Sequence, residues 1–550
     1  MRKLSVSISG AAPVEVAPGT VLSSIMPTTL ADGGPVLCAK LNNAVVPLSL
    51  PVTVNASAQP VTLDRDDGWR AYRASLCFIL DKVAREKFPR ITVRVRHSFG
   101  CGLYGTVEGA DDTESTTAKL EAEMRRVVDE DLPIDILTVS YADAVKYFVE
   151  RGFDDKFPLL AHRNPPMVVT YDCDGFSDIA QDALVHRTGL LGTFALTPYE
   201  GGFVLRLPEE AAPHGLAPLT DGNHLFPVYR EYARWSRILG ATTASELNRL
   251  VMDGEVDEFV RTAEALHEKK IADIARQIAD TAPIPRLVLI AGPSSSGKTT
   301  TAKRLCAHLR VLGLHPFVVS TDDFFLGDDE TPRDENGKFD YECLQAIDLP
   351  LLGRTLDGLL AGREVAMPRF DFLAHAPSPE TTPCRLNPDD IIIMEGIHCL
   401  NPDLTPNVPR EQKFLVNVSA LTQLAIDRCH RVSTTDNRLL RRIVRDYNFR
   451  GSTAVNTLRM WPSVRRGETK WIFPFQKYAD VTFNTALDYE IGVLKSFALP
   501  LLNSIKPDMP EYSEASRLIG LLRNFAAVPT TAIPGDSILR ESIGGSQLSY

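Results

Sequence analysis

Residues 292–299, GPSSSGKT, have the spacing of a phosphate-binding loop, G-x-x-x-x-G-K-T. Small residues let successive backbone N–H groups turn inward and approach phosphate oxygens, which bulky side chains would obstruct. In this pattern Lys298 is a catalytic residue that reaches the β and γ phosphates, and the Thr299 hydroxyl binds Mg²⁺. The pattern therefore predicts a nucleotide site made of Gly292, Pro293, Ser294, Ser295, Ser296, Gly297, Lys298, Thr299 and Thr300.

Two acidic residues follow apolar runs that are typical of strands. The run PFVVS is followed by Asp322, and the run IIIM is followed by Glu395. We expect the first run to lie next to the phosphate-loop strand, in the crevice where open α/β sheets bind ligands, so that Asp322 can accept a proton from a substrate hydroxyl. Glu395 would support Mg²⁺ together with Thr299. A helix N-cap or a solvated loop position is the alternative for either acid alone.

The elements around the loop must hold these groups in place. Apolar residues 287–291 predict a buried strand before the loop, and Leu305, Leu309 and Leu312 recur on one face of a helix after it. Gly313 stands where a helix C-cap belongs. This order of strand, loop and helix disfavours a Gly/Ser-rich turn that matches by accident, and predicts an α/β domain with a mostly parallel sheet.

Seven motifs between Arg286 and about Leu494 occur in the order found in one kinase family. They are GPSSSGKTT, STDDFF, Phe339-Asp340, PRFDFLAH, MEGI, RLLRRIVRD and PFQKYADV. With them, the segment resembles the uridine/cytidine kinases of the phosphoribulokinase and uridine kinase superfamily. The resemblance implies a P-loop kinase that uses ATP or GTP with Mg²⁺ to phosphorylate a small-molecule nucleoside, with Asp322 as the general base.

The resemblance also implies roles for residues that bind substrate. Asp340 would hold the ribose hydroxyls, and Phe370 and His375 would contact the base. The motif RLLRRIVRD, residues 438–446, resembles the lid of the family. Its Arg442 and Arg445 would bind the triphosphate, and Arg442 would also contact the acceptor.

Some residues depart from the family pattern. Phe325 and Phe370 replace tyrosines, Ala376 and Pro377 replace Ser-Arg, and Ser452 replaces an arginine. Because phenylalanine cannot form a hydrogen bond, we expect weaker discrimination between bases, by about 1 kcal/mol for a missing neutral bond.

The first 65 residues predict a small α+β domain. Residues 4–8 alternate apolar and polar side chains, Gly19-Thr20 is expected to open a helix, and Asn42-Asn43 is a turn signal. The other predicted strands are 14–16, 36–41 and 61–63. The leading strand, the Gly-Thr pair and the AKLNN stretch resemble a TGS domain, a β-grasp module found in threonyl-tRNA synthetases.

Residues 66–254 resemble the second additional domain of threonyl-tRNA synthetases, through His97-Ser98 after a strand and through HRTGLLGTFAL. The editing form of that domain binds zinc with an H-x-x-x-H and a C-x-x-x-H pair. Here the positions read His97, Cys101, Cys173 and Ser177. Three ligands could remain, but we expect a degenerate domain kept for packing or for RNA or tRNA contact, without stoichiometric zinc.

Two further segments complete the domain plan. Apolar positions in 256–279 predict one helix that ends before Pro283, within a connecting segment at 255–283, either as a solvated connector or as a packed spacer. The kinase-like domain is expected at 284–500, and a C-terminal helix and tail at 501–550. The tail from Val528 is rich in turn residues, which leaves disorder and a short docked segment around Ile538-Leu539 both open.

Composition limits the function classes. The 550 residues are 44% hydrophobic and 23% charged, with no apolar run near the length that spans a bilayer and no signal-like start. Nine cysteines without a C-x-x-C pair favour reduced thiols. We therefore expect a cytoplasmic protein. The net charge of −11 argues against non-specific nucleic-acid binding by the whole chain.

Eight arginines between 438 and 466 allow two interpretations. They can close over a triphosphate, which we favour, or form a basic patch for RNA. Two alternatives to a nucleoside kinase stay open: a P-loop kinase for another sugar or sugar phosphate, and an NTP-dependent regulator that binds RNA.

Overall fold

The front of the chain forms a five-stranded mixed sheet. In the computed structural model, which describes residues 3–31, 33–100, 102–209, 212–216, 219, 224–335, 337–371 and 374–549, the strand order is β2-β1-β5-β3-β4, with β1 parallel to β5. The strands are β1 (Leu4–Ile8), β2 (Val14–Val16), β3 (Cys38–Leu41), β4 (Ala44–Pro47) and β5 (Ala56–Val61).

Local predictions in this sheet are partly confirmed. Asn42 and Asn43 form the β3–β4 turn with φ of 48° and 62°, values that asparagine tolerates well. The helix expected after Gly19-Thr20 is wrong, because only the 3₁₀ turn Leu22–Ser24 forms there. The strand expected at 61–63 lies earlier in the chain, because β5 ends at Val61.

The next unit carries two larger antiparallel sheets, ordered β11-β12-β7-β6 and β10-β9-β8, and the antiparallel pair β13-β14. Its long first helix, α1 (Asp66–Lys87), contributes Leu76, Ile79 and Leu80 to the largest buried cluster of this unit. The remaining elements are β6 (Thr92–Phe99), β7 (Gly102–Glu108), α2 (Thr113–Asp129), β8 (Asp135–Ser140), α3 (Tyr141–Glu150), α4 (Phe157–Arg163), β9 (Met167–Cys173), β10 (Phe176–Asp178), β11 (Ala195–Tyr199), β12 (Gly202–Arg206), β13 (Pro208–Glu209), β14 (Ala212–Leu216), α5 (Phe226–Leu239) and α6 (Ala244–Met252).

The predicted connecting helix is α7 (Val256–Asp280), and it is packed. Ile271, Ile274 and Ile278 are buried in one cluster with Val288 and Leu305 of the following domain. Of the two options that the sequence allowed, the structure therefore selects the packed spacer.

The C-terminal half is built on a five-stranded parallel sheet. Its elements are β15 (Leu287–Ala291), α8 (Lys298–Val311), β16 (His315–Ser320), α9 (Leu349–Leu360), β17 (Val365–Met367), β18 (Phe370–Asp371), β19 (Ala376–Pro377), β20 (Thr382–Cys384), β21 (Asp390–Glu395), β22 (Lys413–Ser419), α10 (Thr434–Phe449), α11 (Ala454–Trp471), β23 (Val481–Asn484), α12 (Glu490–Asn503), α13 (Tyr512–Leu522) and α14 (Arg540–Ile543). The strand order is β16-β21-β15-β22-β23, and the neighbouring strands β21 and β15 are buried, near-continuous apolar runs because helices cover the sheet.

Two sequence expectations for this half are wrong. The strand before Asp322 is not next to the phosphate-loop strand, because β21 lies between β16 and β15. Leu312 is 45% exposed, since α8 ends at Val311 and the chain turns away there, whereas Leu305 and Leu309 are buried as expected.

The front units and the kinase half share buried polar contacts. Lys156 has no exposed side-chain surface, and its Nζ lies 2.8 Å from Asp178 and 3.0 Å from Asp427, which belongs to the segment between β22 and α10. Val95 donates its backbone N–H to the Arg428 carbonyl at 2.9 Å. None of the described helices is long and apolar enough to cross a membrane.

Candidate active site

The phosphate loop has the backbone shape that its sequence predicts. Ser295 and Gly297 take left-handed φ values of 59° and 86°, and α8 begins at Lys298. A Cβ atom at Gly292 would collide with the Val418 carbonyl, so only glycine fits the start of the loop. The N-terminus of α8 therefore directs backbone N–H groups and its positive dipole end into the loop, as an anion site requires.

The predicted metal-side residues meet at the ends of neighbouring strands. Thr299 Oγ1 donates to Glu395 Oε1 at 3.0 Å, and Ser320 Oγ donates to the same oxygen at 3.2 Å. Burial and the nearby Asp322 carboxylate together raise the pKa of Glu395 to about 7, against the opposing effect of Lys298. Hydroxyl and carboxylate oxygens are ligands that Mg²⁺ accepts, so this donor set fits the ion.

Asp322 lies on the 3₁₀ turn that follows β16, and its backbone N–H is capped by Ser320 Oγ at 3.3 Å. A Cβ atom at Gly396 would collide with Thr321 Oγ1, so the chain after β21 packs directly on this turn. The neighbouring Asp323 has a different task, because its Oδ1 accepts the Phe370 N–H at 3.4 Å. The sequence suggested that β16 lies next to the phosphate-loop strand β15. In the structure β16 instead pairs with β21, and this pairing brings Asp322 and Glu395 together.

The lid helix α10 is closed onto the loop, with residues 437–446 buried. Arg438 donates to the Ser294 carbonyl at 2.9 Å and forms a buried ion pair with Glu468. Arg441 binds Glu490 at 2.5 Å. These two arginines hold the fold and the loop rather than facing a ligand.

The two lid arginines with a predicted ligand role, Arg442 and Arg445, both lie beside Asp446. Arg442 donates to Ser294 Oγ at 2.9 Å, and both Arg442 and Arg445 contact Asp446, at 3.2 and 2.8 Å. Arg445 and burial together lower the pKa of Arg450 to about 10, so a third guanidinium lies beside them. Asp322 opposes that shift, so Arg450 lies near the predicted base.

The remaining arginines of the predicted cluster lie elsewhere. Arg459 is largely exposed and pairs with Glu511 at 2.9 Å. Arg465 donates to Thr435 Oγ1 at 2.8 Å, and Arg466 lies 3.7 Å from Asp334. The eight arginines are therefore not one continuous surface.

Sequence reasoning missed Glu342. Its side chain lies against Gly467 of α11, where a Cβ atom would not fit. Burial raises the pKa of Glu342 to about 7, an effect that Arg442 and Lys298 oppose. Its Oε2 atom is buried and has no hydrogen-bond partner among the residues that the structure describes. A carboxylate placed beside the loop lysine and a lid arginine is a group that a ligand can satisfy, but no motif in the sequence marked it.

The predicted acceptor residues differ in exposure and in their contacts. Asp340 Oδ1 accepts the Glu342 N–H at 3.2 Å, so part of its hydrogen-bonding capacity is used by the backbone. Phe370 is buried and packs edge-on against Phe325, with ring centroids 5.9 Å apart. His375 is exposed at φ 51°, with its ring 6.3 Å from Tyr341.

The zinc positions of the front half do not converge among the described residues. His97 is stacked on Tyr229, with ring centroids 3.7 Å apart, and burial lowers its pKa to about 4. Cys173 lies in a different buried cluster, and Ser177 Oγ donates to Asp172 at 2.5 Å. Cys101 lies outside the described residues. Within those residues, no three His, Cys, Asp or Glu side chains are grouped closely enough to hold a metal.

Comparison with known proteins identifies the family. The sequence profile of the phosphoribulokinase/uridine kinase family matches residues 287–491. A uridine kinase from Tolumonas auensis is 32% identical over 207 residues, which are 37% of this chain and 88% of that protein. This chain belongs to the phosphoribulokinase/uridine kinase family. A uridine kinase from Vibrio atlanticus is also 32% identical, over 40% of this chain and 96% of that protein.

Membership in this family confirms a P-loop phosphotransferase in the C-terminal half, and P-loop kinases in general use a nucleotide with Mg²⁺. A solved structure described as a possible uridine kinase from Bacillus stearothermophilus is 21% identical over 39% of this chain and 98% of that chain, with a TM-score of 0.28. A likeness this weak does not bear on function. The TGS-like and synthetase-like resemblances of the front half stay predictions.

Proposed function

We propose that the protein transfers the γ-phosphoryl group of ATP or GTP to the 5′-hydroxyl of a nucleoside, with uridine and cytidine as the expected acceptors. The observation that carries this proposal is the meeting of Lys298, Thr299, Glu395 and Asp322 around one loop, in a chain of this family. Two contacts support a nucleoside acceptor: Asp340 accepts the Glu342 N–H, and Phe370 donates its N–H to Asp323, next to the predicted base.

The site residues have separate roles in the proposed phosphoryl transfer. Thr299 and Glu395 would hold Mg²⁺, which supplies positive charge to the phosphates. Lys298 and the arginines Arg442 and Arg445 stabilise charge on the transferring group. Asp322 orients the acceptor hydroxyl and takes its proton.

We also propose that Glu342 binds acceptor hydroxyls, together with or in place of Asp340. A buried carboxylate with an unpaired oxygen is costly, and a vicinal diol can donate to it. A substrate that lacks one hydroxyl would leave this oxygen unpaired, so deoxynucleosides should react poorly.

One observation favours a second acceptor class, a sugar phosphate. Arg445 and Arg450 lie close enough together to lower the pKa of Arg450 to about 10, which marks a concentration of positive charge on the Asp322 side. Such a pair suits a phosphorylated acceptor.

A panel of acceptors separates the two classes. The protein is incubated with Mg²⁺ and ATP or GTP, and each ribonucleoside, deoxynucleoside, sugar and sugar phosphate is tested with direct detection of its phosphorylated product. Phosphorylation of uridine or cytidine supports the first proposal. Phosphorylation of a sugar phosphate with no nucleoside product would overturn it and would withdraw the base-contact roles of Phe370 and His375.

A further inference from the structure

The C-terminal tail, residues 528–549, packs against the phosphate loop. Ile538 is 2% exposed and shares a buried cluster with Ile290 of β15 and Leu305 of α8. A Cβ atom on Gly297 would lie only 2.6 Å from the Ile538 side chain. The tail therefore packs directly on a glycine of the phosphate loop, and it lies outside residues 287–491 that define the family match.

One acidic side chain of the tail reaches the loop itself. Thr300 Oγ1 donates to Glu541 Oε2 at 2.8 Å. Thr300 is completely buried, follows the predicted Mg²⁺ ligand Thr299 directly and stands in the first turn of α8. The Glu541 carboxylate is thus well placed to fix the side-chain rotamer of Thr300, and with it this turn.

The charge of Glu541 is matched by its surroundings. The hydrogen bond to Thr300 places the carboxylate at the positive end of α8. Burial lowers the pKa of Lys303, and the charges of Glu395 and Glu541 oppose that shift. Because these positive groups offset the charge, we expect the hydrogen bond to Thr300 to outweigh repulsion between Glu541 and phosphate.

Hydrogen bonds within the tail and to the lid helix hold Glu541 in place beside Thr300. The Arg540 guanidinium donates to the carbonyls of Thr530 and Ile533 at 3.0 and 2.7 Å, which closes the tail on itself. On the other side, Asn448 at the end of the lid helix donates to the Ser542 carbonyl at 3.0 Å. The tail therefore joins the loop to the lid helix.

We propose that Glu541 is a positioning residue of the nucleotide site, which acts through the Thr300 hydroxyl to hold the first turn of α8 in its phosphate-binding shape. This inference rests on the proposed binding of a nucleoside triphosphate, but not on which acceptor is used. Without the carboxylate, Thr300 loses this acceptor, and the first turn of α8 loses its hydrogen bond to the tail. The affinity for the nucleotide then falls, whereas the chemical step changes little because Glu541 contacts no reacting group.

The test measures Mg²⁺-ADP binding by calorimetry, without any acceptor, for the wild type, Glu541→Gln and Glu541→Ala. We expect Glu541→Ala to weaken binding by about 5- to 10-fold, the range for one lost hydrogen bond. Glu541→Gln should stay within about 2-fold of the wild type, because its amide oxygen still accepts from Thr300. For phosphoryl transfer, KM for the nucleotide should rise in Glu541→Ala, with kcat at saturation nearly unchanged.

A double-mutant cycle with Thr300→Val tests the route of the effect. In the Thr300→Val background, Glu541→Ala should weaken binding no further, since the bond is already absent. Unchanged binding in Glu541→Ala, equal losses in Gln and Ala, or full additivity with Thr300→Val would each overturn the inference. A wild type that binds no Mg²⁺-ADP would overturn both this inference and the proposed function, whereas normal binding with no nucleoside product would overturn the proposed acceptor alone.

Discussion

Single carboxylates at the site differ in what they contact, and this difference predicts their roles. Asp322→Asn should keep nucleotide binding and lower kcat by about 10²- to 10⁴-fold, the usual contribution of a positioned base. Asp323→Asn is the matched control, because an amide oxygen can still accept the Phe370 N–H. Steady-state kinetics and nucleotide binding on both variants check this. Near-wild-type turnover in Asp322→Asn would exclude that residue as the base.

Glu342 and Asp340 can be separated by their effect on the acceptor. Glu342→Gln should raise KM for the acceptor by about 10-fold or more, because a hydrogen bond to a charged group is lost. Asp340→Asn should have the smaller effect, since one of its oxygens already serves the Glu342 N–H. Acceptor KM values at saturating nucleotide give the order. A larger rise in acceptor KM for Asp340→Asn than for Glu342→Gln would assign the binding of the acceptor hydroxyls to Asp340.

The raised pKa of Glu342 predicts a pH dependence of stability. Burial raises this pKa from 4.5 to about 7, so the folded protein holds the proton more tightly than the unfolded chain does. The stabilising contribution is fully present below pH 4.5 and is lost as the pH rises through 7. Glu342→Gln should therefore gain stability relative to the wild type between pH 5 and pH 8, measured by urea unfolding without ligand. A constant difference over that range would contradict the assignment.

At the scale of elements, the lid helix combines structural arginines with two arginines, Arg442 and Arg445, that we expect to bind the nucleotide. Arg445→Ala should lower kcat by about 10²- to 10³-fold, the loss found when one donor to a developing charge is removed. Arg459→Ala is the matched control from the next helix, since this exposed arginine pairs only with Glu511 among the described residues. Kinetics of both variants distinguish a local ligand contact from a general effect of positive charge, which would make the two losses similar.

At the scale of the whole molecule, the front units and the kinase half are joined by buried charge. Lys156→Met leaves Asp178 and Asp427 without their shared cation, so the variant should lose about 3 to 5 kcal/mol of unfolding free energy. The exposed Lys146→Met is the control, because its ion pair with Glu150 is on the surface. Urea unfolding followed by fluorescence gives the free energies. An equal, small effect of both changes would show that this contact does not couple the two halves.

The sequence alone determined the phosphate loop and the acids that follow strands. These features are local: Gly292 and Gly297 are required by backbone shape and close approach, and Lys298 and Thr299 follow at fixed offsets. The strands and helices around them are encoded by apolar periodicity, so α8 and β21 were predicted closely.

The tertiary structure decided what depends on contacts between distant residues. In the sheet β21 lies between β16 and β15, and no local sequence pattern determines that strand order. Glu342 is a candidate site residue only because the fold buries it near Lys298 and Arg442, 44 and 100 residues away along the chain. Likewise, the turn-rich tail acquired order from the cores that bury Ile538 and Leu539, because burial energy comes from neighbours that the tail sequence does not contain.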